Sequence, residues 1–407
     1  MGQLGTETQP MPLIATTKVL DEPVDLNDVA RGDGVLFVRD GIGIAGRGVA
    51  AVIADHQVMA ALGQIAWTAD DADAPPPVAI GRLPFHPGAA GSLTIPAVSV
   101  VKDSAGRCWI TEVSGGRDDP ATCGPLTAGR PQPSAASFSV RPGVAIETYL
   151  SAVSIGRDAV RDGRLTKVVI ARDIWVESDQ DLDVHAILLR LRASFGSSFR
   201  YSVDGFVGAS PELLVERRGD EIRSHPLAGT APRTGDPATD ARLAAELIAS
   251  TKNQVEHRVV IDMVHDTLLP WCSYLDEEAE PSIVTVANVQ HLGTAMEGRL
   301  SKPAPAVIDL AKVLSPTPAL GGFPRDRAID LIETTEGFDR GFYGGAVGWV
   351  DARGDGTWAV AIRCAEISAN RAHLFAGGGI VADSEPLAEL AETQAKFQAM
   401  LSAIVRP

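Results

Sequence analysis

Two stretches carry polar side chains at a spacing that suits a divalent cation. In "STKNQVEH" (250–257), Asn253 and Glu256 are three residues apart. Residues three or four apart share one face of a helix. In "AELAETQAK" (388–396), Glu389, Glu392 and Lys396 fall on one face in the same way. The ordinary account of the second stretch is a solvated face with a Glu392–Lys396 pair, worth about 0.2–0.5 kcal/mol. The chemical account brings both helices to one cavity. Glu256 and Glu392 then offer hard oxygen ligands to Mg2+. Two carboxylates leave positions for water and for a substrate's own carboxylate, as Mg2+ sites usually do.

A second set could move protons. "TKVVIARD" (166–173) reads as a buried strand with Lys167 at its mouth and Arg172 and Asp173 closing it. An ammonium beside an apolar run either snorkels to water or has a lowered pKa and can take a proton. In "GASPELLVE" (208–216), Glu212 stands beside Leu213 and Leu214. Its carboxyl either faces water at a strand edge or stays protonated and serves as a general acid.

Other residues suit an anion. Arg363 in "AVAIRCAEI" lies in an apolar strand pattern. Its partner is either an internal carboxylate or a ligand's. Tyr343 in "GFYGGAVG" has glycines around it, which clear space or simply let it pack. His291 in "VQHLGT" is a core histidine or a site group. Glycines 377–379 allow close backbone approach, and free amides there can receive an anion. No Gly-x-Ser-x-Gly elbow, Walker loop or HExxH is present, so nucleophilic and zinc chemistry lack support.

These residues must be held by a mixed fold. Apolar spacing predicts helices over 145–162, 183–195, 237–270 and 384–404. Strands are expected at 167–175, 199–207, 212–217, across "EIRSHPLAGT", and at 282–298, 342–351, 357–366 and 371–382. Residues 1–20 read as a flexible tail, and 25–140 as short strands and turns. Gly41, Gly43 and Gly46 spell GxGxxG, but Ile42 and Ile44 alternate with glycine as in a continuing strand. Dinucleotide binding needs a helix to open there and is not expected. Proline-rich loops are expected at 70–79 and 129–137. Strands in antiparallel-looking runs with long helices make the fold α+β.

The 407 residues are enough for a large core. No run of about 18 apolar residues is present, so no membrane span is expected. The start lacks the basic-then-apolar order of a secretory signal. Cys108, Cys123, Cys272 and Cys364 show no zinc spacing and read as reduced thiols of a cytoplasmic protein. A net charge of −16 argues against nucleic acid. It also means that an anionic substrate needs local cations or a metal. No amphipathic stripe is left over, which favours a monomer.

Taken in order, "TKVVIAR", "GASPELL", "HPLAGTAPR", "STKNQVEH", "QHLGT", "SPTPALGG", "GFYGGAVGWV", "AVAIRCAEI" and "AGGGIVADSEPLAELAETQAK" resemble the chorismate-utilising enzymes. That group includes isochorismate, salicylate, anthranilate and aminodeoxychorismate synthases. The resemblance covers about 144–404. It implies one large domain of two packed, mainly antiparallel sheets with helices outside (α/β/β/α). Residues 144–407 would form the chorismate-binding catalytic region and 21–143 a variable part of the same fold.

The resemblance also implies a Mg2+-dependent site for chorismate, a dianion. The metal ligands fall on Glu256 and Glu392, with Asn253 and Glu389 in a water-linked outer shell. Several relatives carry an acidic residue where this chain has Asn253. The ring carboxylate would meet Mg2+, Lys396, His291 and the Gly229-Thr230 turn. The enolpyruvyl carboxylate would meet Tyr343, Arg363 and the Gly379 amide. In members that add ammonia the position of Lys167 is a glutamine, and in members that add water it is a lysine. Water needs a base where ammonia does not. Lys167 as base and Glu212 as acid therefore imply water attack at ring carbon 2 and loss of the carbon 4 hydroxyl. The expected product is isochorismate. A salicylate synthase uses the same pair and then eliminates pyruvate, and an anthranilate-type enzyme is the more distant reading. Aminodeoxychorismate synthases carry a lysine where this chain has Ala228. A chorismate binder without turnover is the non-enzymatic alternative.

Overall fold

The computed structural model describes residues 12–127, 136–287 and 289–405. Most of the expected loop at 129–137 lies outside them, as does the start of the expected tail. The rest of that tail is corrected: Ile14–Leu20 is a strand, antiparallel to Cys108–Ser114 and parallel to Ala66–Ala69. Alternate residues are buried in its first half, and Ala15 and Thr17 point inward. A strand needs only that half-buried alternation, which the polar composition of the stretch hid.

Among the described residues twenty strands form one hydrogen-bonded network, and three more form a small sheet. The long strand Ser92–Lys102 is the junction. It pairs along one edge with Ile42–Ala54, and along the other with Val78–Leu83 and then Cys108–Ser114. One arm runs from Val78–Leu83 through Ala346–Asp351, Gly356–Val360 and Leu213–Arg218. The other runs from Ile42–Ala54 through Val35–Arg39, Phe199–Val203, Phe206–Ser210, Cys364–Ser368 and Arg371–Ile380 to Lys167–Ser178. Tyr201 and Phe206 of one arm share a buried cluster with Val347 and Trp358 of the other. The expected pair of packed sheets is thus present as two arms of one network. Gly41 sits at the turn between Val35–Arg39 and Ile42–Ala54, and the GxGxxG stretch continues as a strand.

Helices cover the outer faces. Ile146–Arg161 and Pro386–Val405 pack on the central strands Lys167–Ser178 and Arg371–Ile380. Lys167–Ser178 is flanked on both edges and buried almost throughout, with Arg172 and Asp173 buried inside it rather than closing it. Arg172 donates to Thr393 Oγ1 at 2.8 Å and to Gln394 Oε1 at 2.9 Å, which fastens the last helix to this strand.

The expected helix over 237–270 is two helices, Pro237–Ala249 and Thr251–Leu268. Ser250 breaks the run in extended backbone and caps the second helix, accepting from Asn253 N. That helix packs on Leu227–Pro232 of the small sheet, whose other strands are Val289–Gly293 and Ser282–Thr285. Several long strands of the sequence reading are also divided. Residues 199–207 belong to a hairpin turning at Asp204 and Gly205. "EIRSHPLAGT" gives Glu221–His225 and Leu227–Pro232, in different sheets. Residues 357–366 part after Val360, and Arg363 sits in the break with φ +52°.

Candidate active site

The cavity opens where the strands Lys167–Ser178 and Arg371–Ile380, the small sheet and the two acidic helices converge. Lys167, Glu212, Gly229, Thr230, Glu256, His291, Tyr343, Arg363, Gly379, Glu392 and Lys396 all line it. Asn253 and Glu389 do not, and stand behind its wall. The Asn253 side chain lies 3.3 Å from where a Cβ on Gly229 would be, and Glu389 Oε2 lies 2.7 Å from the same point on Gly378.

Lys167 is buried, and its Nζ donates to Glu256 Oε1 at 2.7 Å. The ammonium does not snorkel to water: it meets a carboxylate from the helix Thr251–Leu268. The two approach over Gly379, where a Cβ would sit 2.6 Å from Glu256 Oε1 and 2.8 Å from Lys167 Cε.

Glu212 follows Pro211 at the start of Leu213–Arg218 and is 3 % exposed. Burial pushes its carboxyl up to about 8, although Leu227 N, Lys167 and Arg363 pull the other way. At neutral pH it therefore carries a proton that it can donate.

Arg363 donates to His291 Nε2 at 3.2 Å. His291 Nδ1 faces Gly229 O at 3.2 Å and Thr230 Oγ1 at 3.1 Å. Burial, Arg363 and Lys396 lower its pKa to about 3. The ring is neutral, with its proton on Nδ1 toward the carbonyl. The Gly229 turn needs φ +79°, which glycine adopts without strain. Arg363 holds φ +52° without that freedom, and its carbonyl accepts from Ala209 N. Such backbone strain is held in place by the surrounding structure and concentrates at functional sites. Tyr343 stacks on Phe375 with centroids 5.5 Å apart, and burial pushes its hydroxyl pKa up.

Lys396 Nζ binds Glu392 Oε1 at 2.6 Å and Gly377 O at 2.7 Å. The ordinary helix pair of the sequence is thus real, and it faces the cavity. Burial opposes the charge on Glu392, yet Lys396 and Arg363 hold its carboxyl below the usual range. Glu389 is pushed up to about 7 by burial and by Glu392, and its Oε2 has no partner.

Among the described residues no cluster of three or more His, Cys, Asp or Glu stands ready around a metal. The donor set still fits Mg2+: two carboxylates on one cavity, and an orphaned glutamate oxygen behind them. Mg2+ binds through one or two carboxylates plus water and substrate oxygens, and needs no protein cage.

Sequence reasoning missed Glu336 and Arg340. Arg340 bonds Glu336 through two nitrogens, Leu320 O at 2.8 Å and Val169 O at 2.7 Å, while Ala171 N donates to Glu336 Oε1. Val169 and Leu320 line the cavity, so the pair braces its wall. Both members of the pair lie just past the helix Arg325–Thr335, in a polar stretch that reads as a surface turn, and no local signal marked them as buried.

A converging set of cations, a protonated acid and two further carboxylates on this fold defines a class. Residues 126–405 match the family model described as chorismate binding enzyme, and the chain belongs to that family. Isochorismate synthase DhbC of Bacillus subtilis is 40% identical over 279 residues, 66% of this chain and 70% of the relative. MenF, the menaquinone-specific isochorismate synthase of Escherichia coli, superposes with a TM-score of 0.83 at 23% identity, over 97% of this chain and 96% of that one. Anthranilate synthase component I of Streptococcus pneumoniae TIGR4 superposes with 0.69 at 21% identity, over 98% and 94%. The fold is therefore common to enzymes of different product.

Proposed function

We propose that this protein is an isochorismate synthase, an isomerase that converts chorismate to isochorismate. One observation carries the reading: Lys167 and a protonated Glu212 line the same cavity. Once its ammonium has given a proton to solvent, Lys167 removes one from water as that water's oxygen bonds to ring carbon 2. Glu212 protonates the hydroxyl at carbon 4, which leaves as water while the ring double bond shifts. One hydroxyl is gained and one lost, so the product is an isomer. The protonated carboxyl of Glu212 suits the acid half of this exchange.

Arg363, Tyr343 and the Gly379 amide bind the enolpyruvyl carboxylate. Lys396, His291 and the Gly229-Thr230 turn bind the ring carboxylate. Glu256 and Glu392 would hold Mg2+, with Asn253 and Glu389 as its outer-shell partners. When bound, the ion neutralises the ring carboxylate and fixes its position. Ala228 lines the cavity where aminodeoxychorismate synthases have a lysine, which supports the water-using reading.

The four cysteines are unpaired, which suits a reducing cytoplasm. Among the described residues no helix is long and apolar enough to cross a membrane. The enzyme would act as a monomer on a small molecule, without nucleic acid. The test is chromatography of chorismate incubated with the purified protein, with and without Mg2+, beside a pyruvate assay. Isochorismate without pyruvate is expected. Pyruvate with salicylate would make it a salicylate synthase, and binding without turnover would overturn the enzymatic reading.

A further inference from the structure

Each of the two carboxylates assigned to the cation is held by a lysine. Lys167 binds Glu256 at 2.7 Å and Lys396 binds Glu392 at 2.6 Å. The pairs come from different parts of the chain. One joins a strand to a helix, and the other spans one turn of the last helix. We propose that Lys167 and Lys396 are competing counter-ions that weaken divalent-cation binding until an anion draws them away. This rests on the metal reading above and adds a role for two residues toward that ion.

The charge balance of the cavity supports it. Lys167, Lys396 and Arg363 are three cations on the wall, against the carboxylates Glu256 and Glu392. Glu212 adds nothing while it keeps its proton up to about 8. A divalent cation approaching Glu256 or Glu392 must displace an ammonium and then sit beside it. Like charges a few ångströms apart in a poorly solvated site cost far more than in water. Arg363 has His291 as its partner rather than a carboxylate, so an anion finds an open cation there first.

The lysines differ in how easily they let go. Lys396 keeps the Gly377 carbonyl at 2.7 Å after leaving Glu392. Lys167 has side-chain exposure of 3 %, and Glu256 is its hydrogen-bond acceptor among the described residues. Moving either ammonium is favourable only when something negative receives it. A substrate carboxylate does so, and metal and anion then strengthen each other's binding by the same factor.

The test is calorimetric titration of Mg2+ alone into the wild-type protein and into Lys396→Met, Lys167→Met and Glu256→Gln, with folding checked by circular dichroism. Each lysine variant should bind Mg2+ about tenfold more tightly than wild type. Glu256→Gln should bind it more weakly. Equal or weaker binding by the lysine variants, with binding lost in Glu256→Gln, overturns the counter-ion role and leaves the metal site standing. Unchanged binding in Glu256→Gln overturns the metal reading and this inference with it. The Lys396 side chain is 11 % exposed against 3 % for Lys167, so its variant decides the matter if Lys167→Met does not fold.

Discussion

The Arg363 guanidinium donates to a neutral imidazole, His291 Nε2, at 3.2 Å, in a site where both side chains are buried. The imidazole faces Gly229 O through its other nitrogen. It therefore orients the arginine and ties it to the glycine turn. With its pKa lowered to about 3 by burial, Arg363 and Lys396, His291 does not titrate near neutrality. Its ring resonances should stay constant between about pH 5 and about pH 8 in NMR. His291→Gln should raise KM for chorismate about tenfold, with little change in the shape of the pH profile. A profile that loses its acid limb in that variant would contradict a neutral His291.

Lys167→Ala removes the proposed base and leaves Arg363, Tyr343 and His291 in place. Turnover should fall by about 100- to 10,000-fold, the usual worth of a positioned base. Chorismate affinity, read by calorimetry, should change by only a few fold. Near-normal turnover would exclude Lys167 as the base.

Glu212 links activity and stability to pH through one proton. The folded carboxyl holds it to about 8, against 4.5 for an ordinary glutamate. Between those values the folded state binds more protons than the unfolded state, so stability falls as pH rises through this window. Glu212→Gln has no such proton to lose. Its unfolding midpoint relative to wild type should therefore rise from about pH 5 to about pH 8 and then level off. Its turnover should be at least about 100-fold lower at every pH. Wild-type activity should decline above about pH 8 as the acid ionises.

Gly379→Ala tests whether the base and the metal-type carboxylate must meet. The added methyl would lie 2.6 Å from Glu256 Oε1 and 2.8 Å from Lys167 Cε, so both side chains must shift. Activity should drop by about 100-fold while the melting midpoint shifts by only a few degrees. Wild-type activity in this variant would show that the contact is dispensable.

The site residues were legible chiefly because the motifs, taken in order, resemble the chorismate-utilising enzymes; residue type alone left Lys167, Glu212 and Arg363 each with an ordinary alternative. Eleven of the cavity residues named from the chain alone do line it. What could not be read was pairing across distance. Nothing near Lys167 announces Glu256, because the contact depends on how the helix after Ser250 is aimed. Ser250 itself was hidden by an apolar period that runs through both helices. Arg363 looked like a strand residue because its neighbours are apolar, and a positive φ leaves no trace in composition. The strand Ile14–Leu20 was missed for the opposite reason, since it is too polar to stand out.

Glu336 and Arg340 are the clearest case of a structure-only finding, and they yield the last prediction. Their side chains are 1 % and 2 % exposed, and together they bond Val169, Ala171 and Leu320. Burial raises the Glu336 carboxyl and Arg340 opposes that shift, so the carboxylate depends on its arginine partner to remain charged. Removing one partner leaves an uncompensated charge in the interior, which costs about 3–5 kcal/mol. Glu336→Ala should lower the urea midpoint accordingly. Because Val169 and Leu320 wall the cavity, the same variant should raise KM for chorismate even at low temperature, where it remains folded. A double variant, Glu336→Leu with Arg340→Met, removes both charges and fills the space with apolar side chains. It should recover most of the lost stability, since replacing a whole buried pair is far cheaper than breaking it. It should not recover KM, because the bonds to Val169 O and Leu320 O are gone. Recovery of both would mean that the pair contributes charge balance alone and does not position the wall.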